Sequence, residues 1–121
     1  MIKTTHGKMV AAFNALIRNR QKVKGIDAKK LFHLKSAMRE HFEFYAEQER
    51  NIVDELEGTI TEDGMVLIPD KEKRKEYGRK RKELDEMECE IDTEPVTIEL
   101  VNNPWATLED MEALEGFVEM R

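Results

Sequence analysis

AKKLFHLKSAMREHFEFYAEQERNIVDELEG, residues 28–58, decides how the rest of the chain can be arranged. Leu31, Leu34, Met38, Phe42, Tyr45, Ile52, Val53 and Leu56 recur at three- and four-residue steps, which predicts one helix that starts after Asp27, a candidate N-cap, and stops at Gly58. At about 1.5 Å rise per residue such a helix is a rod about 45 Å long. Phe44 lies off the stripe, so it is the aromatic of this helix most suited to a partner or to a third helix.

Upstream, Met9, Val10, Phe13, Leu16, Ile17 and Val23 predict a helix from Thr4 or Thr5 to Gly25, with Gly25 as a left-handed C-terminal cap. The short link to Asp27 makes the two an antiparallel hairpin, the first helix lying along the N-terminal half of the second. Downstream, an Asp63-Gly64 step separates two β-favouring runs, 59–61 and 65–68. Two isolated strands are marginal, and the alternating run 96–100 is the natural third strand of a small antiparallel sheet. A thin stripe of Tyr77, Leu84, Met87 and Ile91 predicts a charged third helix from Lys71, after the capping candidate Asp70, to Glu90. Asn102-Asn103-Pro104 reads as a turn, and Thr107-Leu108-Glu109-Asp110 as a capping box opening a short last helix with Leu108, Met111, Leu114, Phe117 and Val118 on one face. The expected fold is α+β, mainly α, and one domain over residues 1–121.

The charges are sorted into blocks of alternating sign. Residues 1–40 hold ten Lys/Arg against two acids, residues 41–70 one against nine, residues 71–82 eight against two, and residues 83–121 one against thirteen. If the hairpin at 59–68 turns the third helix back along the second, residues 71–82 run beside residues 57–46, base against acid. Glu83, Asp85, Glu86 and Glu90 then approach Arg39 and Lys35. This matching replaces the usual helix-dipole preference, which Lys29 and Lys30, the acids 54–57, and the bases 71–75 all oppose.

Two charged regions are left as candidates for partner binding. Arg18, Arg20, Lys22, Lys24, Lys29 and Lys30 form a positive tip around the first interhelical turn, and Glu109, Asp110, Glu112, Glu115 and Glu119 an acidic tail. Tip-to-tail contact between two subunits follows as one expectation. Trp105 either packs the last helix onto the sheet or serves as an interface hot spot. A net charge of −6 and a tip without interleaved aromatics disfavour nucleic acid.

Catalytic and ligand chemistry is weakly signalled. His33 and His41 are too far apart along one helix to share a metal, Glu40, Glu43 and Glu47 have no converging His or Cys, and Cys89 sits among acids that disfavour a thiolate. No cofactor, metal or enzymatic activity is expected. A single cysteine fits a reducing compartment, residues 1–8 carry no apolar signal core, and the longest apolar run, 65–68, cannot span a bilayer, so a cytoplasmic or virion-associated protein without a membrane partner is expected.

In its N-terminal helix, its Asp63-Gly64 hairpin leading to Ile68-Pro69, its charged helix containing Glu76-Tyr77, its 96–100 β segment and the following Leu108-Glu109-Asp110-Met111-Glu112-Ala113-Leu114, the chain resembles short proteins of unknown function encoded by bacterial phages and prophages. That resemblance implies a phage origin and an accessory role among virion structural or assembly genes, and it brings no active site. The expected function is noncatalytic binding of protein, itself included, in a structural or assembly-accessory role. The alternative is an acidic inhibitor, or nucleic-acid mimic, acting on a host protein through the acidic C-terminal block.

Overall fold

The computed structural model describes residues 1–100 and 104–121. The chain runs β1 (Ile2–Thr5), α1 (His6–Arg18), α2 (Gly25–Glu55), β2 (Thr59–Ile60), β3 (Val66–Leu67), α3 (Lys71–Glu86), β4 (Glu88–Ile91), β5 (Val96–Ile98), α4 (Leu108–Ala113) and β6 (Val118–Met120). The α+β, mainly α reading holds. The expected Asn102-Asn103-Pro104 turn rests on residues outside the described ones.

The first helix starts where expected, with Thr5 as its N-cap, but ends well before Gly25. Residues 2–5 form a strand that leads into it, and the Thr5 hydroxyl caps α1 by accepting from the Lys8 N–H at 3.4 Å. At the other end the buried Asn19 side chain donates to the Ala15 carbonyl at 2.8 Å, offering that carbonyl a partner that ends the helix. The link to α2 therefore covers residues 19–24. Gly25 does take the expected left-handed conformation, at φ +68°, but as the first residue of α2. Lys24 is the N-cap, without a side-chain bond, and Asp27 contributes as an acid in the first turn.

α1 and α2 form the antiparallel hairpin, closed by Met9, Ala12, Phe13 and Leu16 against Leu31, Leu34 and Met38. Phe13 stacks on Phe42 with ring centroids 4.2 Å apart. At its far end α2 closes tightly: the Gly58 N–H donates to the Val53 carbonyl at 2.9 Å, and a Cβ on Gly58 would meet Ile68 Cγ1 at 2.8 Å.

α3 returns along α2 in the register that the charges dictate. Lys73 pairs with Glu57 at 3.1 Å, Lys80 with Glu55 at 2.7 Å and Arg81 with Glu49 at 2.5 Å. The capping role of Asp70 holds as well, its carboxylate accepting from the Lys73 N–H at 3.0 Å. Around Arg81 the contact becomes a half-buried network. The Tyr45 hydroxyl donates to Asp85 at 2.5 Å, and Arg81 donates to the hydroxyls of Tyr45 and, at 2.9 Å, Tyr77. Burial and the bond to Asp85 push the Tyr45 phenol well above its usual range, so it stays a donor. Burial opposes the Arg81 charge, but Glu49 and the two tyrosines outweigh it and hold that charge in place.

The second half of α3 departs from expectation. The helix ends at Glu86; Asp85 is committed to Tyr45 and Arg81, and Glu90 stands opposite Lys3 in a β ladder rather than near Arg39 or Lys35. Residues 88–91 alternate exposed and buried and pair antiparallel with β1, Ile2 opposite Ile91 and Thr4 opposite Cys89.

The three-stranded sheet of 59–61, 65–68 and 96–100 does not form. β2 and β3 pair only with each other, while β5 pairs in parallel with β6. The reason is distance: Lys30 Nζ donates to the Thr97 carbonyl at 2.9 Å, which sets β5 beside the first turns of α2. The β2–β3 hairpin lies beyond the other end of that helix, about 39 Å away at the α-helical rise. A parallel pair needs a long crossover, and α4 provides it. Trp105, Leu114, Phe117 and Val118 carry this tail into the common core with Ile91 and Ile98. Leu108 and Met111, expected on the inner face, are exposed. Among the described residues no helix is long and apolar enough to cross a membrane.

The Arg81 network predicts unequal mutant costs along α3. Arg81→Ala should lower the unfolding free energy by about 2 kcal/mol in urea, because it strands Glu49 and the Tyr77 hydroxyl in a half-buried setting. Lys80→Ala, at an exposed pair, should leave the midpoint nearly unchanged; equal shifts for the two variants would refute the network's role.

Candidate functional site

The positive tip is built by the end of α1, the 19–24 link and the first turns of α2. Some of its cations have partners within the chain, Arg18 while still exposed. Arg18 donates to the Asp110 carboxylate at 3.1 Å, and Lys30 is engaged with Thr97. Arg20, Lys22, Lys24 and Lys29 are exposed. They surround something that charge patterning did not disclose: Ile26 is 74% and Phe32 60% exposed, an unusual expense of apolar surface. Beside them Leu16, Val23, Ala28 and Leu31 line a recess of about 180 Å³, rimmed by Asn19, Arg20 and Lys35. The tip is therefore an apolar groove with a basic rim, and Phe32 is the aromatic that it was expected to lack.

The tail is mixed in the same way. Glu109, Glu112, Glu115 and Glu119 are exposed beside exposed Leu108 and Met111. Asp110 is different. It is 4% exposed, accepts from the Thr107 N–H at 3.0 Å to complete the capping box, and pairs with Arg18. Its place among the partner-binding acids is thus corrected, because its carboxylate is consumed inside the chain. Burial alone would raise the Asp110 carboxyl; the bonds from Thr107, Arg18 and Asn19 overcome this and hold it below the usual carboxylate range. Trp105 likewise belongs to the core, 6% exposed, with its indole N–H buried and unpartnered among the described residues. Phe44 is partly exposed and lies against the His6 ring at 5.5 Å.

A third grouping escaped sequence reasoning altogether. His6, His41 and Cys89 come from α1, α2 and β4, and their ligand atoms all lie within 4.8 Å of one another. The β1–β4 ladder explains two of them. Its inner face carries Ile2, Cys89 and Ile91, and the His6 N–H extends the ladder to the Met87 carbonyl at 2.9 Å, bringing the buried His6 ring in beside Cys89. His41 follows Met38 by three residues and precedes Tyr45 by four, so it shares their inward stripe. That spacing was the signal available in the sequence. The His6 Nδ1 lies 2.8 Å from the Met87 carbonyl oxygen; a carbonyl only accepts, so Nδ1 carries the proton and Nε2 keeps a free lone pair in the neutral ring. The Cys89 thiol is pushed up by burial, rather than by Glu88 and Glu90, which face outward. His33 is exposed and stands against Phe32, and Glu40, Glu43 and Glu47 are exposed on the outer side of α2.

No family model matches this chain, and neither a curated protein nor a solved structure does.

The internal role of Asp110 has a pH signature. A carboxyl whose folded-state pKa is depressed contributes stability above the unfolded value, about 4, and loses it as pH falls through the lower folded value. Asp110→Asn should therefore cost about 1 kcal/mol at neutral pH. The gap to wild type should narrow steadily in acid denaturation below about pH 4. A gap that stays constant down the acid range would show that the carboxylate charge is not what stabilises the tail.

Proposed function

We propose that the protein is a noncatalytic protein-binding module whose basic, apolar tip docks an acidic, apolar surface on a second copy of the chain. One observation carries this reading: Ile26 and Phe32 stand almost free of the core, amid Arg20, Lys24 and Lys29. A patch of that kind is costly for a monomer and suits a buried anchor surrounded by charge that selects its partner. The tail offers matching chemistry, with Leu108 and Met111 exposed among Glu109, Glu112 and Glu115. The contact joins different surfaces of two copies, so it closes into a two-fold dimer when made reciprocally and propagates into a ring or a filament when not. Such behaviour agrees with the structural or assembly-accessory role, in a phage or prophage setting, that the resemblance in element order implies.

A nucleic-acid role is the competing outcome for a tip with one exposed aromatic among bases. The negative charge of the whole chain and the aliphatic Ile26, which cannot stack on a base, favour protein.

Sedimentation velocity at low and high salt tests the proposal. The wild-type chain should associate in a concentration-dependent way at low salt and dissociate as salt rises. Phe32→Glu and Leu108→Lys should each abolish association, and mixing these two variants should restore only a dimer, since each retains one good surface. A wild-type chain that stays monomeric at low salt and high concentration, or that binds a single-stranded oligonucleotide with loss on Phe32→Glu, overturns it.

A further inference from the structure

We propose that His6, His41 and Cys89 form a Zn²⁺ site that staples β4 and the start of α1 to the middle of α2. Two imidazoles and one thiolate are a donor set that zinc favours, and a solvent molecule completes a tetrahedron. The residues lie far apart in sequence and on three elements, so local chain geometry does not account for their meeting.

Two further features fit a ligand site rather than chance proximity. The first is the orientation of His6. Its Nδ1–H is held by the Met87 carbonyl, the arrangement by which proteins fix the tautomer of a metal-binding histidine and present its other nitrogen. The second is enclosure. His6 and Cys89 are buried, His41 is half-buried and meets His6 edge to face at 6.4 Å, and Phe44 covers the His6 ring. Such surroundings limit the access of competing donors to the Zn–S and Zn–N bonds beyond the one solvent ligand.

Donor atoms on a tetrahedral zinc lie about 3.3–3.6 Å apart, given bond lengths near 2.0 Å to nitrogen and 2.3 Å to sulfur. The cluster must therefore contract by about 1 Å from its 4.8 Å span, within reach of small side-chain rotations. On binding, the Cys89 thiol gives its proton to the buffer and its sulfur lone pair to the metal; no electron is transferred. A two-stranded ladder such as β1–β4 is weak alone, and tying its inner face to α2 is what a structural metal does best.

The test uses the full chain, purified without chelator or stripped and reloaded. Zn²⁺ binding by titration calorimetry should show a single equivalent per chain, with an accompanying rise in thermal midpoint. Co²⁺, used as a coloured stand-in, should give a sulfur-to-cobalt charge-transfer band and intense visible bands of tetrahedral type. Cys89→Ser should remove the charge-transfer band, and His41→Ala should weaken Zn²⁺ binding by about 100-fold or more, as loss of a direct ligand exceeds the usual effect of its supporting shell. His33→Ala, at an exposed histidine on the same helix, should change neither. Circular dichroism establishes that each variant is folded; should Cys89→Ser unfold, the His41→Ala and His33→Ala pair decides. A folded wild-type chain that takes up no zinc, or one whose binding falls with His33→Ala and survives His41→Ala, overturns the site. The tip variant Phe32→Glu should still bind zinc, which separates this proposal from the docking reading.

Discussion

The antiparallel contact between α3 and the acidic half of α2 fixes the path of everything that follows it in the chain. α3 exposes most of its surface and buries only Leu84, so its position cannot come from hydrophobic burial alone. Its bases supply what its apolar stripe lacks: Lys73, Lys80 and Arg81 meet Glu57, Glu55 and Glu49 in descending order, which sets direction and register together. Exposed pairs of this type contribute little each. The half-buried cluster of Arg81, Tyr45, Asp85 and Tyr77 adds hydrogen bonds with fixed geometry, and it lies where α3 must stop and turn into β4. A chain delivered to that point is already beside β1, so the ladder forms with little further searching.

The same contact explains which parts of the fold were legible in the sequence. Helices α1, α2, α3 and α4 announce themselves through periodic apolar residues and caps, and Asp70 and Thr107 cap as their spacing suggests. The charge match and the three-stranded sheet exclude each other. If α3 returns along α2, the segment after it is carried away from the hairpin at residues 59–67, and the run at 96–98 cannot join that hairpin. The geometry of the rod, applied to the charge match, would have excluded the three-stranded sheet. Strands β1, β4 and β6 were missed for a different reason. Each has three or four residues, and Glu88-Cys89-Glu90-Ile91 alternates in a way that is easily absorbed into the end of a preceding helical pattern.

Site residues show a similar division. Charge blocks revealed the tip, but not that Arg18 and Lys30 are used internally or that Ile26 and Phe32 stand out from it. Asp110 was grouped with its acidic neighbours because composition does not distinguish a capping carboxylate from a solvated one. Its position three residues after Thr107 does, since that spacing aims it at the helix's own first N–H groups. His41 illustrates a further limit. Its spacing from His33 tests only ligands from one element, whereas metal sites in small folds often draw on several.

Placed along α2, these features divide one long helix into three stations with different physical demands. At its start the helix shares an apolar groove with α1 and leaves Ile26 and Phe32 outside the core. In its middle it is most enclosed, and there His41 is brought to His6 and Cys89. Toward its end it buries only a small apolar set, Val53 and Leu56 with Ile68, and relies on carboxylates to hold α3. Enclosure suits a metal and exposure suits a partner, so the two functions proposed for this chain occupy the positions where the helix can support them. α3 leads directly into β4, so the helix that Arg81 ties to Glu49 is also the one that delivers the strand carrying Cys89 to the middle station.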